Sequence, residues 1–463
     1  MATTKTPKEL AQDASVLADT FEYVHYNNLI YAPVDYLTGD RSVIPTDDRK
    51  SWIPLQLRDI QRIARAQFDT LFREESEVAR FMYMVMQESI PIDFIKPRLL
   101  IKTVDGLKVL ESDGTLTDPD GAFVPNTIDW TLNEDPEDEA NLTAIITEWV
   151  GGDEEITASL LRHLATALAP HWSCGKYVLL IGDGRNGKSV LMTMLEELFG
   201  RHNCSNVTRQ LISESNVATC DLNGKLLNVV KDGPAEFVKD SGAEKSLITG
   251  EAVGIRQLYK GTLTKVQTNA LFIEGLNQEP KSRDKSSALQ ARLVRFIFPN
   301  KYDDDHVFLE TMRSERMLGA LLSLLIKNYV KHENAAVMLA PTSATLAAQL
   351  EHMVNNSYGL QFILDMEMNE PLGAVDTLVD MPLDELIDRF RSWRLKQGDI
   401  SPWDASSVIA LFNPLVFTDR KSARVAGKKN PVKVRYITGL KKDTLSVLHT
   451  MEEEADATTV VEN

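Results

Sequence analysis

Between Tyr177 and Phe199 the hydrophobic pattern changes period. Tyr177-Val178-Leu179-Leu180-Ile181 is an unbroken apolar run of strand length, after which Val190, Leu191, Met194, Leu195, Leu198 and Phe199 recur at helical spacing. The pattern predicts a buried strand, a polar turn and a helix. Leu226–Val230 and Ala270–Ile273 predict two more buried strands, and another apolar strand begins after Arg292. Upstream, Leu57, Ile60, Ile63, Ala64 and Phe68 mark an amphipathic helix. Leu99–Lys102 and Leu107–Leu110 flank Asp105-Gly106 and predict a hairpin. The acidic run from Glu134 to Glu139 reads as an exposed linker, followed by helical spacing from Leu142 to about Ala169. Further helices reach about Met368. After a polar break, Leu383, Leu386, Ile387, Phe390 and Trp393 define one more helix. A shorter helix near 404–412 precedes a strand-rich segment with turn signals at Gly427 and Asn430-Pro431.

At 463 residues the chain implies two to four domains. The apolar stretch Met317–Ile326 ends at Lys327, far short of a membrane span, and the N-terminus has no apolar signal core. Three cysteines without a CxxC pair argue for a reducing compartment and against a zinc ribbon. The expected location is therefore cytoplasmic, with no membrane partner.

Net charge is −17, which by itself speaks against nucleic acid. Its distribution reverses that reading. Residues 420–442 hold nine basic side chains and no acidic one, so the rest of the chain carries −26. Such asymmetry suits a phosphate-contacting surface, with Lys428, Lys429 and Lys433 as candidates; the alternative is a solvated basic loop. Two helices followed by a basic hairpin make 380–445 wing-like.

The polar turn after the first strand reads Gly182-Asp183-Gly184-Arg185-Asn186-Gly187-Lys188-Ser189. Glycines let the backbone point its N–H groups inward, and a helix N-terminus adds positive potential, so the turn is a candidate phosphate cradle. Lys188 is expected to reach the β- and γ-phosphates of ATP and Ser189 to hold Mg²⁺. A nucleotide hydrolase also needs a metal-directing acid, a polar γ-phosphate reader and often an arginine. Asp232 follows a strand 44 residues after Lys188 and is the candidate acid. Glu236 is either its water-polarising partner or a solvated loop acid. Asn277 follows the next strand and is the candidate reader. Arg292 precedes the one after that, as a candidate arginine finger for a neighbouring subunit.

In this order the block 182–298 resembles the superfamily 3 helicases, in particular those of phage and plasmid primase–helicases and their poxvirus equivalent. The matching segments are GDGRNGKS (182–189), LNGKLLNVVKD (222–232), EKSLITGEAVGIRQLYK (244–260), LFIEGLNQEP (271–280) and RDKSSALQARLVRFIF (283–298). Weaker likeness extends upstream through Asp129-Trp130 and Trp149–Asp153. The chain departs from the family in carrying Lys231-Asp232 where a glutamate is usual, which leaves the roles of Asp232 and Glu236 open. It has Ala291-Arg292 in place of paired arginines. The hairpin around Tyr259–Lys265 lacks the usual proline and aromatic.

The resemblance implies an α/β fold: an AAA+-like P-loop NTPase core, a mixed α/β N-terminal region and a C-terminal winged-helix-like domain. The expected divisions are 1–135, 136–335, 336–450 and an acidic tail at 451–463. It implies a catalytic set of Lys188, Asp232, Asn277, Arg292 and Glu236, with Lys260, Lys265 and Arg256 contacting DNA from a pore hairpin. The implied activity is ATP-dependent unwinding of DNA by a ring, most simply a hexamer, moving 3′ to 5′ on one strand of a replication fork in phage or plasmid replication. The partners are single-stranded and forked DNA and a separate primase or polymerase, because residues 1–130 show no primase-like metal site. An AAA+-like packaging or remodelling motor and an ATP-regulated replication initiator are the alternatives.

Overall fold

The computed structural model describes residues 23–26, 29–33, 52–54, 98–119, 124–214, 218–233, 242–256, 263–277, 289, 291–303, 305–355, 357–369, 373–397, 403–413, 415–423 and 432–441. The helix expected around Leu57–Phe68 lies outside these residues. The chain divides into two compact units, residues 1–345 and 346–463.

The first unit begins with a small antiparallel sheet of β1 (Val24–Tyr26), β2 (Leu29–Pro33) and β3 (Trp52–Pro54). A second sheet, ordered β6-β5-β4-β7, contains β4 (Leu99–Thr103), β5 (Gly106–Leu110), β6 (Leu116–Thr117) and β7 (Asn126–Thr131). The expected hairpin is β4–β5, but its turn is Val104-Asp105, and Gly106, with a φ of 112°, is already paired with Thr103 as the first residue of β5. Trp130 Nε1 on β7 donates to the Glu197 carbonyl at 2.6 Å, tying this sheet to the helix that ends at Phe199.

The acidic run is not a linker. Asp135 caps helix α1 (Pro136–Trp149), accepting from the N–H groups of Glu137 and Asp138, with Pro136 in the first turn. Asp138 and Glu139 are then buried against the opposing helix, where Arg316 meets Asp138 at 2.6 Å and Lys327 meets Glu139 at 2.5 Å. Acidic residues in a first turn complement the helix dipole, which composition alone does not distinguish from a solvated run.

After α2 (Glu154–Ala165), strands and helices alternate: β8 (Tyr177–Ile181), α3 (Lys188–Phe199), β9 (Cys204–Ser205), α4 (Arg209–Glu214), β10 (Leu227–Val230) and α5 (Gly242–Ile248). The hairpin β11 (Val253–Arg256) and β12 (Leu263–Val266) follows, then β13 (Leu271–Leu276) and β14 (Leu293–Ile297). Helices α6 (His306–Met312), α7 (Glu315–Lys327) and α8 (Ala335–Met338) complete the unit. Strands β14-β8-β13-β10-β9 form one parallel sheet in that order. Helices cover both of its faces, so β8, β10 and β13 are buried nearly throughout; that is why they read as continuous apolar runs. One face packs Val178, Leu180 and Ile273 against α1, α2, α3 and α7. The other packs Tyr177, Leu179 and Phe272 against Leu247 and Ile248 of α5.

The second unit contains α9 (Ser343–Asn355, which crosses the boundary), α10 (Tyr358–Asn369), α11 (Gly373–Leu378), α12 (Leu383–Lys396) and α13 (Ala405–Phe412). The antiparallel strands β15 (Val416–Ala423) and β16 (Val432–Leu440) follow. Its core is aromatic: Phe362, Phe390, Trp393 and Phe412 meet edge-on or tilted at 5.4–5.9 Å. Pro382 bridges to Tyr436, which joins the segment before α12 to the hairpin. Helix α11 falls inside the polar break and was not legible from periodicity.

Candidate functional site

The turn between β8 and α3 is built from close approaches. Gly184, Arg185 and Gly187 hold positive φ of 93°, 51° and 91°. Gly187 has a second constraint, because a Cβ there would come within 2.5 Å of the Trp149 ring at the end of α1. A Cβ on Gly182 would collide with the Asn186 side chain and the Phe298 carbonyl. Asn186 donates to that carbonyl at 3.2 Å and accepts from Lys188 Nζ at 3.0 Å. Lys188 also donates to the Gly182 carbonyl at 2.5 Å, so the ammonium lies folded over the loop's own acceptors. Burial lowers its pKa, while Asp183 and Asp232 act in the opposite direction. A cradle with this backbone and a lysine at the start of a helix has the chemistry to accept a polyanion. Ser189, exposed in the first turn of α3, stands free to meet a cation beside that anion.

Asp232 is exposed two residues after β10, near enough to Lys188 for its charge to act there. Gly233, which follows it, donates its N–H to the Gly275 carbonyl at 3.0 Å. Lys231 is drawn toward the phosphate-loop helix, with its ammonium 2.5 Å from Glu196 Oε2. Asn277 is exposed directly after β13. Leu276 pairs with Ile181 in register, and the Gly182 N–H donates to the Leu276 carbonyl at 3.1 Å, so Asn277 adjoins the first residue of the loop. Lys188, Ser189, Asp232 and Asn277 therefore gather at the carboxyl edge of the parallel sheet, where ligands of open α/β folds bind.

Arg292 does not join them. Its carbonyl accepts from the Tyr177 N–H at 2.8 Å, and the neighbouring Ala291 carbonyl accepts from Lys176 Nζ at 2.7 Å. It lies at the start of β8, whose five residues put about 17 Å between it and the loop. Lys188 and Arg292 of one chain belong to opposite edges of the sheet.

Arg256 and Lys265 lie on β11 and β12, two rungs apart, since Gly254 pairs with Lys265 and Arg256 with Leu263. On the second unit's hairpin, Arg420 pairs with Arg435 and Ser422 with Lys433. These rungs are two apart, so Arg420, Lys433 and Arg435 share one face. Phe417, 54 % exposed, lies near the base of the same hairpin with Lys441 Nζ 5.8 Å from its ring centre. Glu236, Lys260, Lys428 and Lys429 lie outside the described residues. Among the described residues there is no metal-ligating cluster of His, Cys, Asp and Glu, and no helix long and apolar enough to cross a membrane.

Residues 180–292 match a family of unknown function, DUF5906, a span running from the phosphate-loop strand to Arg292. No curated protein matches the sequence. Among solved structures, an apo structure of the NrS-1 C-terminal region is similar over 94 % of this chain and 100 % of its own, at 15 % identity and a TM-score of 0.44. The X-ray structure of JCV helicase is similar over 44 % of this chain and 59 % of its own, at 19 % identity and a TM-score of 0.27.

Sequence reasoning missed several residues of this region. Trp149, 3 % exposed beneath Gly187, entered only through the weaker upstream likeness, which assigned it no part in the loop. Arg209, Glu244, Glu274 and Arg295 are all at or below 1 % exposure. Glu274 and Arg295 did leave a trace, as single charges inside otherwise apolar strands.

Proposed function

We propose that this chain is an ATP-dependent DNA helicase that works as a ring, most simply a hexamer, at a phage or plasmid replication fork. The observation that carries the reading is the placement of Arg292 at the edge of the sheet opposite Lys188, Asp232 and Asn277. An arginine so placed serves a neighbour's nucleotide, and each neighbour's arginine serves the next, a head-to-tail relation that closes into a ring.

At each seam the loop of residues 182–189 holds the phosphates of ATP, and Lys188 leaves the Gly182 carbonyl for the β- and γ-oxygens. Ser189 and Asp232 would hold Mg²⁺, which would supply positive charge beside the phosphates. Asp232, or Glu236 four residues further along the chain, orients the attacking water, and Asn277 reads the γ-phosphate. Arg292 from the adjacent protomer stabilises the charge that develops on the transferred group.

Basic hairpins engage the polynucleotide. The β11–β12 hairpin carries Arg256 and Lys265 as strand contacts. In the second unit the order of helix, bridged residue, two helices and hairpin supports a winged-helix reading. Helix α13, in the position of a base-reading helix, has the sequence ASSVIALF and offers no cation, so contact falls to the wing and is indifferent to sequence. Movement from 3′ to 5′ is what the superfamily 3 resemblance implies.

The test is ATP turnover with and without single-stranded DNA, alongside displacement of a forked duplex. Turnover stimulated by single strands, with strand separation, is expected. Turnover indifferent to single strands would assign the chain to the packaging or remodelling motors. Assembly on ATP without turnover would make it an initiator.

A further inference from the structure

The face of the parallel sheet away from α3 contains a buried, charge-balanced group that the nucleotide site does not use. Arg209 begins α4, Glu244 lies on α5, Glu274 stands in the middle of β13 and Arg295 in β14. Arg209 Nε donates to Glu244 Oε1 at 2.6 Å. The same guanidinium lies 5.6 Å from the centre of the Tyr177 ring. Burial pushes the Tyr177 phenol well above its usual range, and the Glu274 carboxylate beside it adds to that shift. Glu274 also acts on Arg209. Glu274 and Arg295 flank Leu179 on one rung of the sheet.

The two ends of this group lie at functional places. The Glu274 carboxylate covers Gly233, where any Cβ would collide with Oε1 and lie 2.6 Å from Leu276 Cδ2. Gly233 is the residue after Asp232, the metal-directing acid of the proposed site. At the other end, Glu244 belongs to α5, which packs on β11, the first strand of the candidate pore hairpin. Buried ion pairs are a poor route to stability compared with apolar packing of the same volume. Four buried charges joining a catalytic turn to a DNA-contacting hairpin have a better account in the coupling of the two.

We propose that Glu274 is a positioning residue that ties the Asp232–Gly233 turn, through Tyr177 and Arg209, to Glu244 and thereby moves the β11–β12 hairpin with the nucleotide state. This rests on the nucleotide-binding reading given above. When Asp232 engages a bound nucleotide, the turn shifts on the Glu274 carboxylate. The paired charges cannot separate without exposing an uncompensated ion, so α4 and α5 follow as a unit.

The experiment is amide hydrogen exchange on the full chain with and without the ATP analogue AMP-PNP and Mg²⁺. In the wild type, exchange across residues 242–256 should change by about threefold or more on binding. Glu274→Gln keeps the shape and removes the charge; Glu244→Gln does the same at the α5 end, where it meets Arg209, so a second variant remains if the first does not fold. Each folded variant should bind AMP-PNP within about threefold of wild type and lose the response at 242–256. A response equal to the wild type in these variants would overturn the link, as would nucleotide binding to wild type with no change at 242–256. Failure of the wild type to bind AMP-PNP would overturn the functional reading itself, and the link with it.

Discussion

The Arg292 carbonyl receives the Tyr177 N–H at 2.8 Å at the start of β8, while Lys188 opens the helix beyond that strand's far end. One strand therefore separates the two cationic residues assigned to the proposed reaction. Arg292→Ala should leave equilibrium ATP affinity within about twofold and lower turnover by about 10³-fold. Nucleotide binding and steady-state hydrolysis, measured on the same preparation, check both halves.

Gly187 and Gly184 separate strain from collision. Both have positive φ, but a Cβ at Gly184 meets nothing within 4 Å, whereas at Gly187 it meets Trp149 at 2.5 Å. Gly184→Ala should cost about 1 kcal/mol of strain, and Gly187→Ala about 2 kcal/mol or more, with loss of nucleotide binding. Denaturant unfolding of the two variants gives the difference directly.

Acid should destabilise the first unit through His163. Burial lowers this ring from 6.5 to about 4, while its Nδ1 stays 2.8 Å from the Ser159 carbonyl. The unfolded chain then binds the proton more readily than the folded one. Stability is unaffected above pH 6.5 and falls as pH drops toward 4, by about 3 kcal/mol in total. His163→Leu should flatten the dependence of unfolding free energy on pH across that window, whatever its effect on stability at pH 7.

The hairpin of the second unit should set the salt dependence of DNA binding. Replacing Arg420, Lys433 and Arg435 with glutamine should weaken single-strand affinity and lower the slope of log K against log salt by about 2, near 0.7 per phosphate contact. An unchanged slope would assign this face to protein contacts.

The parts of the fold that were legible are those where one physical signal dominates. Strands β8, β10 and β13 announced themselves as apolar runs because helices cover both faces of the sheet. The turn at 182–189 was legible because a backbone that cradles anions needs glycine at fixed offsets. The first turn of α1 was misread because Asp135, Asp138 and Glu139 act through a cap and two ion pairs with a helix some 180 residues away, which local composition does not encode. The buried charges escaped for the same reason: Arg209 and Glu244, 35 residues apart, acquire meaning only when α4 and α5 meet. Within the site, position after a strand was enough to suggest Asp232 and Asn277. That Arg292 lies at the far edge requires the sheet order, which places β14 beside β8.

The most direct measurement mixes two inactive proteins. Lys188→Ala lacks the cradle's cation but retains Arg292; Arg292→Ala retains the cradle. If sites are completed between protomers, the equimolar mixture should recover ATP turnover to about a quarter of the wild-type rate, since one seam in four of a random ring joins an intact cradle to an intact arginine. A mixture as inactive as its components, or an Arg292→Ala protein that turns over ATP at the wild-type rate, would contradict the account.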